Sequence, residues 1–326
     1  MKTLAIVMGT MGAVLAWGGM TAVAADADAA SQAACAHAHV RAVEAKNPTC
    51  ADWGWYACQA CDDCGRHLQA KGPYSPMRPP IHAYYDAGVE QPKGVTTYTC
   101  TGCGKTLVSD VRAAKKIPLA SGDKIIFFGD SLTYFGWRKG GYCQLTRDLL
   151  ASRGIAVDVE AFGVIGNTSA DALARLQREK SRILKKGATG RTYFTNLLGV
   201  NDVSPFHAGH PTVEQYLSNV KATLGLVRNA GIQPVVIVFP GTVCDNATSP
   251  AAAAKSNYSE QLPLVTALRN YAVAEGFPIV EAFDPFHETV RKQGPQSVTA
   301  DGIHLNDAGN RLLAELIVAA SGPRAE

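Results

Sequence analysis

The stretch KIIFFGDSL, residues 124–132, decides the fold. Its beginning is a short apolar run rich in isoleucine and phenylalanine, which predicts a buried strand over Lys124 to Phe128. Gly129 ends the run, and Ser131 is a residue type that favours the start of a helix. A buried strand that passes directly into a helix is typical of a parallel sheet whose strands are connected by helices.

The alternation of strand and helix patterns continues from this stretch to residue 320. Further strands are predicted over 156–162, 192–198, 234–239 and 278–281, and helices over 141–153, 169–186, 212–230, 256–275 and 306–320. Such alternation predicts an α/β fold in which helices cover both faces of a parallel sheet. The expected architecture is therefore a three-layer α/β/α sandwich.

Polar motifs recur where the predicted strands end. Gly166 follows the second strand, Asn201 follows the third in the motif GVND, and Asp301 and His304 precede the last helix in the motif DGIH. Because the carboxyl ends of parallel strands meet at one edge of a sheet, these residues are expected to gather beside Ser131.

These residue types form a complete set for acyl transfer through a serine ester. A serine hydroxyl is a weak nucleophile and needs a base, which His304 supplies, while Asp301 orients the imidazole ring. The oxyanion needs preorganised donors. The expected donors are the backbone N–H groups of Ser131 and Gly166 and the side-chain amide of Asn201.

Each motif alone has an ordinary structural explanation. Ser131 and Asp301 are both good helix-capping residues, and Asn201 is common in turns. The occurrence of all the motifs in one order, each after a predicted strand or before the last helix, favours catalysis over coincidence.

With these motifs in this order, residues 121–322 resemble the GDSL esterases, also called SGNH hydrolases. The resemblance implies a flavodoxin-like strand order, a catalytic triad of Ser131, Asp301 and His304, and an oxyanion hole formed by Ser131, Gly166 and Asn201. It also implies hydrolysis of carboxylic esters through an acyl-enzyme, with no cofactor for catalysis.

Composition limits the class of protein and its partners. The chain has 326 residues, of which 47% are hydrophobic and 18% charged, as in ordinary globular proteins. The net charge of +3 and the lack of a Lys/Arg run argue against a nucleic-acid partner.

The first 25 residues have the pattern of an export signal. Lys2 precedes an apolar stretch from Leu4 to Met20, and the small residues Ala22 to Ala24 suit a cleavage site. The alternative is an uncleaved membrane anchor, although the stretch is at the short limit for a span. We expect cleavage, a periplasmic or secreted mature protein, and no membrane span thereafter.

Cysteine usage marks a separate N-terminal module over residues 35–115. Seven of the nine cysteines lie between Cys35 and Cys103. The module contains two CxxC pairs, each followed by glycine, which predict a zinc-ribbon-like fold. The expected ligands of one structural Zn²⁺ are Cys61, Cys64, Cys100 and Cys103.

Disulfide bonds are the alternative for these cysteines, because an exported chain meets an oxidising compartment. If the two CxxC pairs bind zinc, Cys50 and Cys58 remain as a candidate disulfide. The pattern leaves open whether Cys143 and Cys244 pair.

The substrate is the least constrained part of the prediction. A compact exported enzyme with a small appended module suits removal of short acyl groups, such as acetyl, from carbohydrate, so the partner would be a small-molecule or polysaccharide ester. Tyr134, Phe135 and Trp137 follow the nucleophile and are candidates for lining its pocket.

The alternative to such an esterase is a lipolytic acylhydrolase or a thioesterase. An alternative of another class is a polysaccharide-binding protein with a vestigial esterase site.

Overall fold

A computed structural model describes most of the chain. The described residues are 35–46, 49–52, 54–55, 57–68, 77–78, 82–84, 88–90, 93–203, 211–241 and 250–324. The predicted export signal and Cys244 lie outside these ranges.

The N-terminal part is built from short strands. They are β1 (Val40–Val43), β2 (Gly54–Trp55), β3 (Cys58–Cys61), β4 (His67–Leu68), β5 (Met77–Arg78), β6 (Gly88–Glu90), β7 (Val95–Thr99) and β8 (Thr106–Asp110). They pair antiparallel as β1-β3-β4, β2-β5 and β6-β7-β8. Sheets this small depend on additional interactions for stability.

A parallel sheet forms the centre of the remaining chain. After β9 (Ile117–Leu119), its strands are β10 (Lys124–Gly129), β11 (Asp158–Gly163), β12 (Thr192–Leu197), β13 (Gln233–Val238) and β14 (Ile279–Glu281). All neighbours pair in parallel, in the order β11-β10-β12-β13-β14. Counted within this sheet the order is 2-1-3-4-5, so the predicted flavodoxin-like sheet is confirmed.

Helices connect and cover these strands. They are α1 (Ser131–Gly136), α2 (Tyr142–Ser152), α3 (Ser169–Ile183), α4 (Val213–Asn229), α5 (Pro250–Glu275), α6 (Phe283–Gln293) and α7 (Asp307–Ala320), with a 3₁₀ turn at Pro295–Ser297. Helix α2 packs against α7, while α3, α4 and α5 pack in sequence against one another. Right-handed crossovers place these groups on opposite faces, because the strand order reverses after β11. The predicted three-layer sandwich is confirmed.

Polar caps set where the helices begin. Thr168 forms a reciprocal capping box with Asp171 at the start of α3, and Thr212 does the same with Gln215 at the start of α4. These caps explain why the predicted starts of both helices lie within one residue of the observed ones.

A two-stranded parallel pair joins the beginning and the end of this region. Strand β9 pairs with β15 (Ser321–Pro323). Beside this pair, the fully buried carboxylate of Asp123 forms an ion pair with Arg324 at 3.0 Å. The short apolar segments involved carry no periodic pattern, and the prediction missed them along with α6. The helix start expected at Ser131 is confirmed as the start of α1.

The cysteine-rich part packs on the outer face of α5. The side chains of Tyr84, Tyr98 and Cys100 belong to the same buried apolar cluster as the central sheet. The backbone N–H of Tyr84 donates to Ser259 Oγ at 3.1 Å, and Asn270 bonds the backbone of β8. The predicted domain boundaries near residues 115 and 121 therefore separate two parts that share a packed interface.

Candidate active site

Ser131 is the first residue of α1, directly after the carboxyl end of β10. Asp130 caps this helix, because its Oδ1 accepts from the Leu132 N–H at 2.9 Å. A side chain on Gly129 would place its Cβ 2.3 Å from Thr133 Oγ1 and 2.6 Å from the carbonyl oxygen of Leu197. The tight strand-to-helix turn at the nucleophile motif thus requires glycine at residue 129.

Three of the predicted site residues form a continuous hydrogen-bonded chain. His304 Nε2 lies 3.0 Å from Ser131 Oγ, and His304 Nδ1 lies 2.7 Å from Asp301 Oδ2. The two ring nitrogens therefore face opposite partners, as proton transfer from a serine requires. Ser131 is 173 residues from His304 in sequence, and the sheet topology brings them together.

The turn that carries His304 is held by Asp301 itself. Its Oδ1 accepts from the backbone N–H groups of Ile303 at 3.0 Å and His304 at 2.7 Å. Partial burial raises the pKa of the Asp301 carboxyl, but these bonds and the His304 ring outweigh it, so the net pKa is lowered. The Phe135 ring packs edge-on against the imidazole at 5.1 Å, which further fixes its plane.

The predicted oxyanion residues Gly166 and Asn201 lie on adjacent loops. Asn201 Nδ2 donates to the backbone carbonyl of Asn167 at 3.0 Å, which ties the loop after β12 to the loop after β11. Gly166 has a φ of 77°, a left-handed conformation that glycine adopts without strain. Since a side-chain amide has two N–H donors, the bond to Asn167 leaves one for another acceptor.

Arg175 is a further residue of this edge, and it belongs to none of the sequence motifs. Its guanidinium is buried and donates to the carbonyl oxygens of Gly129 and Phe162, at the ends of β10 and β11. Its Nε also donates to Asn167 Oδ1 at 2.9 Å. The position of this residue within the apolar stripe of α3 is the only signal that the sequence offered.

Asp130 is a second buried ionisable group at this edge. Its side chain is fully buried, and its Oδ2 has no hydrogen-bond partner within the described part of the chain. Burial, followed by the nearby Asp202 carboxylate, raises the pKa of Asp130 to about 7. The carboxyl behind the nucleophile is thus largely protonated in mildly acidic solution.

Exposed apolar side chains occur in the two segments that carry Ser131 and Gly166. Tyr134 and Ile165 are 54% and 56% exposed, and Trp137 and Val164 are 40% and 38% exposed. Tyr134 and Trp137 follow Ser131 in sequence, while Val164 and Ile165 precede Gly166. Exposed apolar groups grouped beside polar ones mark surfaces that contact ligands.

The predicted zinc ligands do not come together at one point. Cys61 and Cys64 lie in one cluster and Cys100 and Cys103 in another. The prediction of a single site formed by these four cysteines is therefore wrong. It failed because residue spacing identifies ligands that are close in sequence but does not show which distant residues complete the site.

The predicted Cys50–Cys58 disulfide is also wrong. Cys50 Sγ lies 3.3 Å from Cys100 Sγ, while Cys58 Sγ lies 3.3 Å from His67 Nδ1. No described cysteine forms a disulfide, and Cys143 is buried in the catalytic region. The possible pairing of Cys143 with Cys244 lies outside the described residues.

A serine, a histidine and an aspartate in this arrangement, at the carboxyl edge of a flavodoxin-like sheet, define a serine hydrolase of the SGNH type. Comparison with known families identifies the family. Residues 127–312 match the GDSL-like lipase/acylhydrolase family, and this match covers more than half of the chain. The chain belongs to this family, whose catalysis needs no cofactor.

Solved structures share this fold. A protein described as a GDSL-like lipase from Parabacteroides merdae matches with a TM-score of 0.52 and 22% identity, over 64% of this chain and 99% of that one. An acetylxylan esterase from Geobacillus stearothermophilus matches with a TM-score of 0.50 and 18% identity, over 64% of this chain and 100% of that one.

A comparison with curated proteins finds no match. Among the described residues, no helix has the length and apolar character needed to cross a membrane.

Proposed function

We propose that this protein is an exported esterase that removes short acyl groups, such as acetyl, from carbohydrate. The observation that carries the esterase activity is the bonded chain from Asp301 through His304 to Ser131.

In the proposed mechanism, Ser131 Oγ attacks the ester carbonyl while His304 Nε2 takes its proton. The carbonyl oxygen becomes an oxyanion, which accepts hydrogen bonds from the backbone N–H groups of Ser131 and Gly166 and from the Asn201 amide. His304 then returns the proton to the leaving alcohol, and an acyl-enzyme remains.

Water completes the reaction by the same steps. His304 takes a proton from water as the oxygen attacks the acyl group on Ser131. When the second oxyanion collapses, the bond between the acyl carbon and Ser131 Oγ breaks, His304 returns the proton to Oγ, and the carboxylic acid is released. Asp301 stays ionised throughout, because its net pKa is lowered, and it stabilises the imidazolium that forms in each step.

The exposure of residues beside the nucleophile supports a bulky alcohol group in the substrate. Ser131 is only 3% exposed, whereas the side chain of Asp301 is 54% exposed, so the reacting atom lies just below an open surface. A polymer can reach such a site without threading through a channel. The exposed rings of Tyr134 and Trp137 offer flat faces on which sugar rings can stack.

The proposed export rests on residues 1–25, which lie outside the described part of the chain. A positive charge, an apolar stretch and small residues follow one another there, as in secretory signals. Cleavage would release the mature protein into the periplasm or the medium.

A lipolytic acylhydrolase is the second candidate, and one observation favours it. The same exposed surface includes the aliphatic side chains Val164 and Ile165, which would bind an acyl chain as readily as a sugar face. Acyl length therefore separates the two functions.

Initial rates on p-nitrophenyl acetate, butyrate and palmitate, together with acetate release from acetylated xylan, test the proposal. We expect turnover to fall with acyl length and acetate to be released from the polymer. The Ser131→Ala variant provides the blank for both assays. A preference for palmitate would support the lipolytic function, and no ester turnover at all would indicate a binding protein.

A further inference from the structure

The two groups of cysteine and histidine side chains in the N-terminal part have the same composition. The first cluster comprises Cys35, His37, Cys61 and Cys64, and the second comprises Cys50, His82, Cys100 and Cys103. Within each cluster the ligand atoms all lie within 4.8 Å of one another. We propose that each cluster binds one structural Zn²⁺ through three thiolates and one imidazole.

The distances within the clusters suit a tetrahedral ion. With Zn–S near 2.3 Å and Zn–N near 2.05 Å, tetrahedral ligands lie about 3.8 Å apart for two sulfurs and about 3.5 Å apart for sulfur and nitrogen. In the first cluster, Cys35 Sγ lies 3.6 Å from Cys61 Sγ, and Cys64 Sγ lies 3.5 Å from His37 Nδ1. Four convergent ligands leave no open position, as in structural rather than catalytic zinc sites.

The second cluster has nearly the same spacing. Cys50 Sγ lies 3.3 Å from Cys100 Sγ, and Cys103 Sγ lies 3.2 Å from His82 Nδ1. The backbone N–H of Ala83 donates to Cys100 Sγ at 3.2 Å, a bond that stabilises a metal-binding thiolate. A side chain at Gly102 would place its Cβ 2.9 Å from Cys50 Sγ, so glycine at this position lets the fourth ligand approach.

The two CxxC turns have matching backbone geometry. In the first, the N–H of Cys61 donates to Arg66 and the N–H of Gly65 donates to Cys61. In the second, Cys100 and Gly104 make the equivalent bonds, to Lys105 and Cys100. Both glycines have positive φ, 69° and 74°. Each turn presents two sulfurs, and the two turns lie in different clusters. Each turn therefore supplies two ligands to its own metal site.

The ligands of the two clusters alternate along the chain. Cys50 of the second cluster lies between His37 and Cys61 of the first, and Cys64 of the first precedes His82 of the second. The two ions would therefore link segments that are interleaved in sequence. Such links would stabilise this region, because its short strands are not sufficient for stability by themselves. Soft thiolates with imidazole favour Zn²⁺ over Mg²⁺ or Ca²⁺ in such sites.

Zinc content provides a test that does not depend on activity. Elemental analysis of the purified full chain should give two zinc ions per chain. His37→Ala and His82→Ala should each lower the content from two to one, and the double variant should contain none. His39→Ala is the matched control, because this neighbouring histidine contacts Asp63 and belongs to neither cluster; it should retain two.

Conservative variants distinguish the loss of a zinc ligand from misfolding of the variant protein. His37→Cys and His82→Cys keep a ligand at each position, so each should retain two ions. Cobalt titration of the metal-stripped wild type should saturate at two equivalents, with absorption bands of tetrahedral cobalt thiolate.

One zinc per chain that persists in His37→Ala and His82→Ala would support a four-cysteine site and overturn the proposal. No zinc, with the cluster cysteines oxidised in the mass spectrum, would overturn it in favour of disulfides. Neither result would bear on ester hydrolysis, because Ser131 and His304 belong to neither cluster.

Discussion

The catalytic edge and the cysteine-rich part assemble their sites in different ways. At the catalytic edge, Ser131, Gly166 and Asn201 each follow a strand of one parallel sheet, and the sheet fixes where they meet. In the cysteine-rich part, ligands come from turns and strand ends, and the described strands there are very short and form three separate small sheets. A general rule of topology applies to the first region only. Motif order was therefore sufficient to predict the first site, while ligand spacing was insufficient for the second.

Removal of the nucleophile gives the largest expected effect and tests whether activity belongs to the catalytic edge alone. We expect Ser131→Ala to lower kcat by about 10⁶-fold, since no other group can form the acyl-enzyme. Stopped assays with p-nitrophenyl acetate measure the loss. Ser152→Ala, a serine on the exposed surface of α2, is the control and should keep full turnover. Near-wild-type activity in folded Ser131→Ala, judged by circular dichroism, would contradict the serine mechanism.

Replacement of Asp301 tests the orientation of the base. Asp301→Asn should lower kcat by up to about 10⁴-fold, because the amide cannot stabilise the imidazolium on His304. Asp307→Asn is the matched control. Asp307 is the first residue of α7, and its carboxylate accepts a hydrogen bond from Arg138 rather than from His304, so kcat should be unchanged in this variant. Equal kcat values for the two variants would show that Asp301 has only a structural role at its turn.

Removal of the Asn201 amide tests the oxyanion hole. Asn201→Ala should lower kcat by about 10²–10³-fold with little change in KM, since the amide binds charge that exists only in the transition state. Asn270→Ala loses an amide that bonds the cysteine-rich part, and it should leave kcat unchanged. A raised KM with unaltered kcat in Asn201→Ala would indicate that this residue only positions the substrate.

Per pH unit, the pH dependence of stability gives the smallest expected effect. The pKa of Asp130 is raised to about 7 in the folded protein by burial and is near 3.9 in the unfolded chain. Between these values the folded state holds the extra proton, so this group lowers the free energy of unfolding as pH rises from about 4 to 7. The slope that it contributes is at most about 1.4 kcal/mol per pH unit.

Asp130→Asn should remove this contribution. Urea unfolding of wild type and variant at several pH values measures the contribution of Asp130 to the free energy of unfolding. Metal-dependent changes in the cysteine-rich part occur in both proteins and cancel in the comparison. Parallel curves for the two proteins would show that Asp130 is ionised throughout this range.

The sequence was informative where one local pattern determines one element. The apolar runs of β10, β12 and β13 and the capping residues of α3 and α4 predicted element bounds within a few residues. The order of the motifs predicted the contact between Ser131 and His304, because parallel strands align their ends. Its only signal for Arg175 was the position of this residue within the apolar stripe of α3, which does not identify the partners of the guanidinium, since a charged residue in a helix normally lies in solvent. It could not show the partners of Cys61 and Cys100, since those depend on long-range chain paths.

The pairing of β9 with β15 has a consequence for the order in which the chain is made. Asp123 and Arg324 are 201 positions apart, so the buried carboxylate leaves the ribosome long before its cation. Until then, its only charge-stabilising contacts within the described residues are backbone N–H groups, those of Ala120 and Arg191. The central sheet can assemble during synthesis, but β9 stays unpaired until residues 321–324 emerge. A chain that stops before Ser321 would keep the residues of the catalytic triad but would lack the cation that pairs with Asp123, and we expect proteases to degrade it faster than the complete chain.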